Sequence, residues 1–131
     1  MNHNLVSLYD YEASARRTLP TNVWDFIDAG AMDEITARRN RSALDALALR
    51  PRLLRDVEDI DLSTIVLGTQ INLPVMIAPG GGHKTVHPDG ELATVRGAAK
   101  SRTLMMAATN SNYTMEEIAE ATTTPRWFQL Y

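Results

Sequence analysis

There is no cysteine among the 131 residues. That absence excludes disulfides, zinc–thiolate sites, iron–sulfur clusters and a cysteine nucleophile together. No apolar run approaches the roughly 18 residues of a membrane-spanning helix. The opening Met1-Asn2-His3-Asn4 lacks the basic-then-apolar layout of a signal peptide. Positive charge is in short supply as well: 13 Lys and Arg stand against 16 Asp and Glu, a net charge of -3. Phosphate backbones need clustered cations, so nucleic acid is not the expected partner. What remains is a globular balance, 44% hydrophobic and 22% charged, enough for one domain and a soluble, cytoplasmic protein.

Two rhythms divide the chain. Residues 1–72 read as helical and then irregular. Ser7 opens a helix with Asp10 at capping-box spacing, Leu8, Tyr11, Ala15 and Leu19 share a face, and Pro20 ends it. A second helix carries Val23, Trp24, Phe26 and Ile27, with Gly30 as its stop. A third spans about Asp33 to Ala48, with Ile35, Leu44 and Leu47 on one side. Its other face holds Arg38, Arg39 and Arg41, either a solvated surface or a docking patch. Ser63–Gly68 looks like a short strand.

Residues 73–131 instead follow β-α-β-α-β. Strand-length apolar runs occupy Leu73–Ala78, Thr103–Ala108 and Trp127–Tyr131. Helices are expected at about Asp89–Ser101, with Asp89 as cap, and at Met115–Ala121, where Thr114 and Glu117 form a capping box. Uninterrupted apolar strands separated by helices predict an α/β fold with a parallel sheet buried on both faces, as in a (β/α) barrel or a doubly wound sheet. Three strands leave two unpaired edges, which favours further pairing, either a homo-oligomer or completion by more barrel.

The Gly80-Gly81-Gly82-His83-Lys84-Thr85 segment fails both phosphate-loop patterns. His83 separates Gly82 from Lys84, and Thr85 stands where Gly-x-Gly-x-x-Gly needs its last glycine. Glycines directly after a parallel strand still allow a ligand to approach the backbone closely, although a tight turn accounts for them equally well. His83, His87 and Asp89 have the residue types of a metal cluster, but the segment reads better as a turn opening a helix, and no metal is expected. His87 is either a general base or a structural hydrogen-bonder. Asn110, Ser111 and Asn112 follow the second strand at the same end. Gln129 and Tyr131, two apart, would share one face of the third strand, where a bound ligand or a core network must satisfy them.

A longer series of short motifs points further. Leu19-Pro20, Val23-Trp24-Asp25-Phe26, Gly30-Ala31, Asp33-Glu34, Asn40-Arg41, Leu49-Arg50-Pro51-Arg52, Asp56-Val57, Asp61-Leu62-Ser63-Thr64 and Leu67-Gly68 come first. Ile77-Ala78-Pro79, His87-Pro88-Asp89-Gly90-Glu91, Glu116-Glu117-Ile118-Ala119 and Phe128-Gln129-Leu130-Tyr131 complete it. In this order they resemble the N-terminal part of the FMN-dependent α-hydroxy-acid oxidases and dehydrogenases, the family of glycolate oxidase, lactate oxidase and mandelate dehydrogenase. The resemblance covers nearly the whole chain.

It implies an N-terminal helical arm and short hairpin over 1–72. Residues 73–131 would then be the first three βα units of a (β/α)8 TIM barrel, a partial barrel making up about the first third of an enzyme. It also implies oxidation of an α-hydroxy acid to the α-keto acid by hydride transfer to FMN. The family's His base, carboxylate-binding Arg and flavin-side Lys belong to later strands and have no counterpart here. Carried over residue by residue, Pro79, Gly80 and Gly81 match the backbone lying against the flavin ring. Gln129 matches the residue that bonds its pyrimidine edge. Tyr131 matches a catalytic, substrate-binding tyrosine whose phenol both donates and accepts. Two positions depart from the commonest pattern. Phe26 stands in place of a substrate-binding tyrosine, and Ala108 in place of a flavin-contacting serine. Gly80-Gly81-Gly82 is also more open than the usual Thr-Ala or Ala-Ala pair there. They suggest a larger, more apolar α-substituent, as in mandelate. Two readings follow: an incomplete portion of an FMN enzyme, inactive alone, or a non-catalytic partial-barrel assembly or interaction module.

Overall fold

A computed structural model describes residues 5–131. The chain packs as two compact units, one ending at Arg55 and the other spanning Asp56–Tyr131. The division at 72/73 expected from chain order is therefore not the division by packing: the hairpin residues belong with the parallel sheet.

The first unit holds three helices. In α1 (Leu8–Thr18) the Ser7 hydroxyl accepts from the Asp10 N–H at 3.3 Å, and the Asp10 carboxylate accepts from the Ser7 N–H at 2.7 Å. The capping box thus satisfies two of the donors that a helix start leaves unpaired. Pro20 precedes α2 (Thr21–Asp28), and its carbonyl accepts from the Val23 and Trp24 N–H groups. α2 ends just before Gly30, as expected, but through an extended Ala29 and without a left-handed φ at the glycine. Gly30 serves packing instead, since a Cβ there would lie 2.8 Å from the Ala37 Cβ.

The third helix, α3 (Ile35–Asp45), is shorter than the expected Asp33–Ala48. Met32 and Glu34 take left-handed φ values of 51° and 57°, which a right-handed helix cannot contain. Leu47 falls beyond its end. Part of the basic face is paired locally. Arg41 bonds Glu12 at 2.8 Å and stacks over the Tyr9 ring at 4.3 Å, and Arg38 donates to the Asp33 carbonyl at 2.7 Å. None of the described residues in α1–α3 is buried.

The second unit opens with an antiparallel hairpin, β1 (Thr64–Val66) and β2 (Thr69–Ile71), joined by Leu67 and Gly68. Both turn residues have positive φ, 45° and 78°, the geometry that matches strand twist in a two-residue turn. Three parallel strands follow, β3 (Ile77–Gly80), β4 (Met105–Ala107) and β5 (Arg126–Phe128), in spatial order β3-β4-β5. Between β3 and β4 lie a single 3-10 turn, His83–Thr85, and α4 (Gly90–Lys100); between β4 and β5 lies α5 (Met115–Glu120). This is an open α/β sheet with two complete strand–helix pairs and a third strand, rather than three full βα units.

Strand limits differ from expectation where partners set them. Pro74 has no N–H to give a ladder, and the parallel pairing starts only where the Ile77 N–H reaches the Leu104 carbonyl at 2.9 Å. The strand then runs through Pro79 to Gly80, and the register with β4 shifts between Ile77 and Gly80, a tolerated setting for a proline. At the third strand, Gln129 and Tyr131 lie beyond β5, so alternation along a strand does not place them on one face.

Packing is one-sided. Val95 and Ala98 of α4, Met105 and Ala107 of β4 and Ile118 of α5 form the buried cluster, flanked by Leu92, Tyr113 and Ala121. Each large member contributes about 1.5–3 kcal/mol through burial. Arg126 fastens α5 from below: its guanidinium donates to the Ala119 and Thr122 carbonyls, both at 3.0 Å, satisfying acceptors at the helix end. The opposite sheet face is closed only near the hairpin, where Ile71 and Leu104 are buried and the Trp127 indole N–H donates to the Thr69 hydroxyl at 3.3 Å. Even on the face that carries the cluster, Ile77 and Phe128, the register partners of Met105 and Ala107, are exposed, so the expected burial on both faces does not hold within this chain.

Candidate functional site

The C-terminal ends of β3, β4 and β5 carry the loops where ligands bind in βα architectures. Three stretches meet there: Pro79–Gly82, Ala108–Asn112 and Gln129–Tyr131. Pro79 and Gly80 are the last residues of β3. At Gly81 a side chain is excluded, since a Cβ would run into the Asn110 carboxamide and lie 2.7 Å from the Asn110 carbonyl oxygen. The close approach that requires this glycine is therefore made by the neighbouring loop. The strip Gly80–Gly82 presents bare backbone, and Gly81 is exposed. Ala108, buried at the end of β4, adds no polar group; its carbonyl accepts from the Ser111 N–H at 3.1 Å and hydroxyl at 2.8 Å.

The third stretch is tied to the second through Thr109. The Gln129 N–H continues the ladder to the Ala107 carbonyl at 2.8 Å. The Thr109 hydroxyl donates to the Gln129 carbonyl at 2.5 Å and accepts from the Tyr131 N–H at 3.1 Å. One hydroxyl thus fixes the backbone on both sides of Leu130. The Gln129 carboxamide and the Tyr131 phenol have no hydrogen-bond partner among the described residues, and Tyr131 is 88% exposed. Both are polar groups left available to a ligand. Phe26, the remaining candidate, lies on α2 in the helical unit and is 84% exposed.

The loops after β3 and β4 are joined by a residue that sequence reasoning did not single out. Glu91, in the first turn of α4, is 0% exposed. Its Oε1 accepts from the His83 N–H and from the Asn112 N–H, both at 3.1 Å. Burial pushes its carboxyl up, but the backbone donors of Asn112, Glu91 itself and His83, with the charge of His83, outweigh this and hold it below the ordinary glutamate value. Gly90 makes room for the arrangement: its φ is 47°, and a Cβ would sit 2.9 Å from Lys84 Cγ and 3.2 Å from Tyr113 Cε2. The signs of Glu91 in the sequence are its place in the His87–Glu91 motif and an acidic residue in a first turn, which usually marks a solvated helix start.

His83 and His87 take structural bonds. His83 Nδ1 lies 3.0 Å from the Thr94 hydroxyl, and His87 Nδ1 accepts from the Asp89 N–H at 3.2 Å. Asp89 does not cap α4 with its side chain, contrary to expectation, because its own backbone is turned into the helical region at φ -79° and ψ -9°. No group of three metal-ligating side chains occurs among the described residues. In the helical unit, a cleft of ≈ 510 Å³ runs past Glu12, Arg38 and Arg41, but its charges face each other rather than a common centre.

The bare strip and the two unpartnered polar tips fit one face of a flat heteroaromatic ring with a hydrogen-bonding edge. They include no built site for a phosphate. Comparison with known proteins gives the arrangement its context. A family described as FMN-dependent dehydrogenase matches residues 15–131. A peroxisomal (S)-2-hydroxy-acid oxidase of Oryza sativa is 42% identical over 132 residues, covering 100% of this chain and 36% of that protein. Glycolate oxidase 3 of Arabidopsis thaliana is 42% identical over 127 residues, covering 97% of this chain and 34% of that protein. A crystal structure of mandelate oxidase superposes with a TM-score of 0.91 at 38% identity, over 98% of this chain and 37% of that one. The chain spans about a third of the length of the curated relatives it matches.

Proposed function

The chain belongs to the FMN-dependent dehydrogenase family, and from that premise we propose that it is the N-terminal portion of an enzyme that oxidises an α-hydroxy acid to the α-keto acid. Its parallel strands are the first three of a (β/α)8 barrel, which further chain completes. The observation that carries this reading is the strip Gly80–Gly82 at the C-terminal end of β3, bare of side chains and exposed at Gly81. When bound, FMN supplies the two-electron acceptor that the oxidation requires.

The residues of this chain have positioning and binding roles. Pro79, Gly80 and Gly81 offer the ring backbone rather than long side chains of their own, whereas Ala108 is buried and adds no surface for it. The free carboxamide of Gln129 bonds the polar edge of the ring, donating and accepting in the same plane. The Tyr131 phenol faces substrate and hydrogen-bonds it, its backbone held by Thr109. By the family resemblance Phe26 takes the position of a tyrosine whose hydroxyl grips the substrate carboxylate, and it lacks that hydroxyl. Losing that bond to a charged partner costs roughly 1.5–3 kcal/mol. A larger apolar α-substituent, as in mandelate, offsets the loss by burying its own surface. The proton-abstracting base, the carboxylate clamp and the phosphate site come from the completing portion, so the chain alone turns nothing over.

The test is a chimera in which this chain replaces the corresponding portion of mandelate oxidase. A folded chimera retains FMN through purification and oxidises mandelate in preference to glycolate. Phe26→Tyr moves that preference toward glycolate by roughly tenfold or more, the equivalent of one charged hydrogen bond. A folded chimera that holds no FMN would refute the flavin wall. A preference unmoved by Phe26→Tyr would remove Phe26 from the substrate site.

A further inference from the structure

Glu91 is a charged side chain at 0% exposure, and its Oε2 has no hydrogen-bond partner. An unpaired buried carboxylate oxygen is costly, so packing alone does not explain the residue. Its other oxygen spans the loops after two different strands: Oε1 receives the His83 N–H from one and the Asn112 N–H from the other. Two further links join the same loops. The Lys84 N–H donates to Asn112 Oδ1 at 2.9 Å, and Lys84 Nζ lies 3.7 Å from the centre of the Tyr113 ring. These contacts begin one residue after Gly82 and two after Asn110. We propose that Glu91 is a positioning residue whose buried carboxylate locks the loops after β3 and β4 into one rigid piece, so that Gly80–Gly82 and Ala108–Asn110 present a single fixed wall. That this wall faces FMN rests on the reading above; the lock itself does not.

A carboxylate suits the task better than its neutral counterparts. One oxygen can accept from two backbone donors, and the negative charge strengthens both bonds. Glutamine retains an accepting oxygen but puts an NH2 group where Oε2 now finds no partner. Alanine orphans both loop N–H groups.

Amide hydrogen exchange of the 131-residue chain, followed by NMR, tests the lock. In the unaltered chain the His83 and Asn112 amides exchange at matched rates, because one opening frees both. In Glu91→Gln and Glu91→Ala both accelerate together by roughly tenfold or more, while the Ile77 and Gln129 amides of the sheet ladder keep their rates. Unmatched rates in the unaltered chain overturn the proposal, and that measurement stands even if the variants do not fold. Equal acceleration of the ladder amides also overturns it, since Glu91 would then support the fold at large. In the mandelate-oxidase chimera, Glu91→Gln weakens FMN binding by roughly tenfold. A locked pair of loops in a chimera that binds no FMN would refute the flavin wall and leave the lock standing. An FMN affinity unchanged by Glu91→Gln would overturn the positioning role.

Discussion

The sheet unit encloses Val95, Met105 and Ile118 between two helices and a strand, whereas no described residue of the three helices before Arg55 is buried. Both units are built from elements with sound local signals. Each has a helix opened by a full capping box, and each carries amphipathic spacing. What separates them is the return on those signals. In the sheet unit Thr114 starts a helix that delivers Ile118 into a core. In the helical unit Ser7 starts a helix whose Leu8 and Tyr11 remain exposed. Caps and spacing decide that a helix forms; only a partner surface makes it count toward stability, because tertiary packing supplies most of a helix's stability in a protein.

The sharpest challenge to this contrast is a pair of truncations. Ile118→Ala should cost about 2–5 kcal/mol, since it removes a fully buried side chain from a packed cluster. Leu44→Ala, at a position 68% exposed, should cost about 0.5 kcal/mol or less. Urea unfolding of the two variants reads both. Similar midpoints for the two would mean that the helical unit has a core of its own after all.

Acid provides the next contrast. The Glu91 carboxyl sits below the ordinary glutamate value in the folded chain. Its contribution is therefore present above the unfolded value and is lost as pH falls through the lowered folded one. Protonation leaves Oε1 an acceptor but removes the charge that strengthens its bonds to the His83 and Asn112 N–H groups. Asp10 is likewise lowered, first by the Ser7 N–H, then by the Val6 N–H and the Ser7 hydroxyl, so its sign is the same. The outcomes differ in kind. Acidification below the ordinary carboxylate range should lower the melting point of the sheet unit cooperatively, and Glu91→Gln should remove most of that dependence. In the helical unit it should only fray α1, seen as a gradual loss of far-ultraviolet helix signal. A sheet-unit melting point equally acid-sensitive in the unaltered chain and in Glu91→Gln would show that the carboxylate does not couple to folding.

How much of this was legible in the sequence follows the range of each interaction. The capping boxes at Ser7–Asp10 and Thr114–Glu117 were readable because they close within three residues. So was the parallel β-α-β-α-β order, which needs only apolar runs and helical spacing. The limits of β3 were not, because the Ile77 N–H begins the ladder only when Leu104 is opposite. The end of β5 was missed for the same reason. Gly30 marks the end of α2 legibly, but its packing constraint comes from Ala37, seven residues on. At the site, Gln129 and Tyr131 stand out by residue type, and the family resemblance gives them roles. Glu91 and Thr109 do not stand out. A glutamate in a first turn and a threonine after a strand look ordinary until the fold brings the second loop against them.

The smallest expected effect is also the cleanest comparison, because the two capping boxes have the same chemistry. Thr114→Ala leaves the Glu117 N–H without its side-chain acceptor, now at 3.1 Å, and should cost the sheet unit about 1 kcal/mol. That cost reaches the global melting point, because α5 cannot fray without exposing Ile118. Ser7→Ala removes the equivalent acceptor from the Asp10 N–H, but α1 buries nothing that its fraying could expose. Its effect should appear as lower helix content at the start of α1, with the cooperative transition unmoved. Residue-level exchange would show it as faster amides from Leu8 to Tyr11 and nowhere else. If Ser7→Ala instead shifted the cooperative transition as far as Thr114→Ala, the helices before Arg55 would have to be folding as a cooperative unit. The difference drawn between the two regions would then be one of burial alone, not of stability.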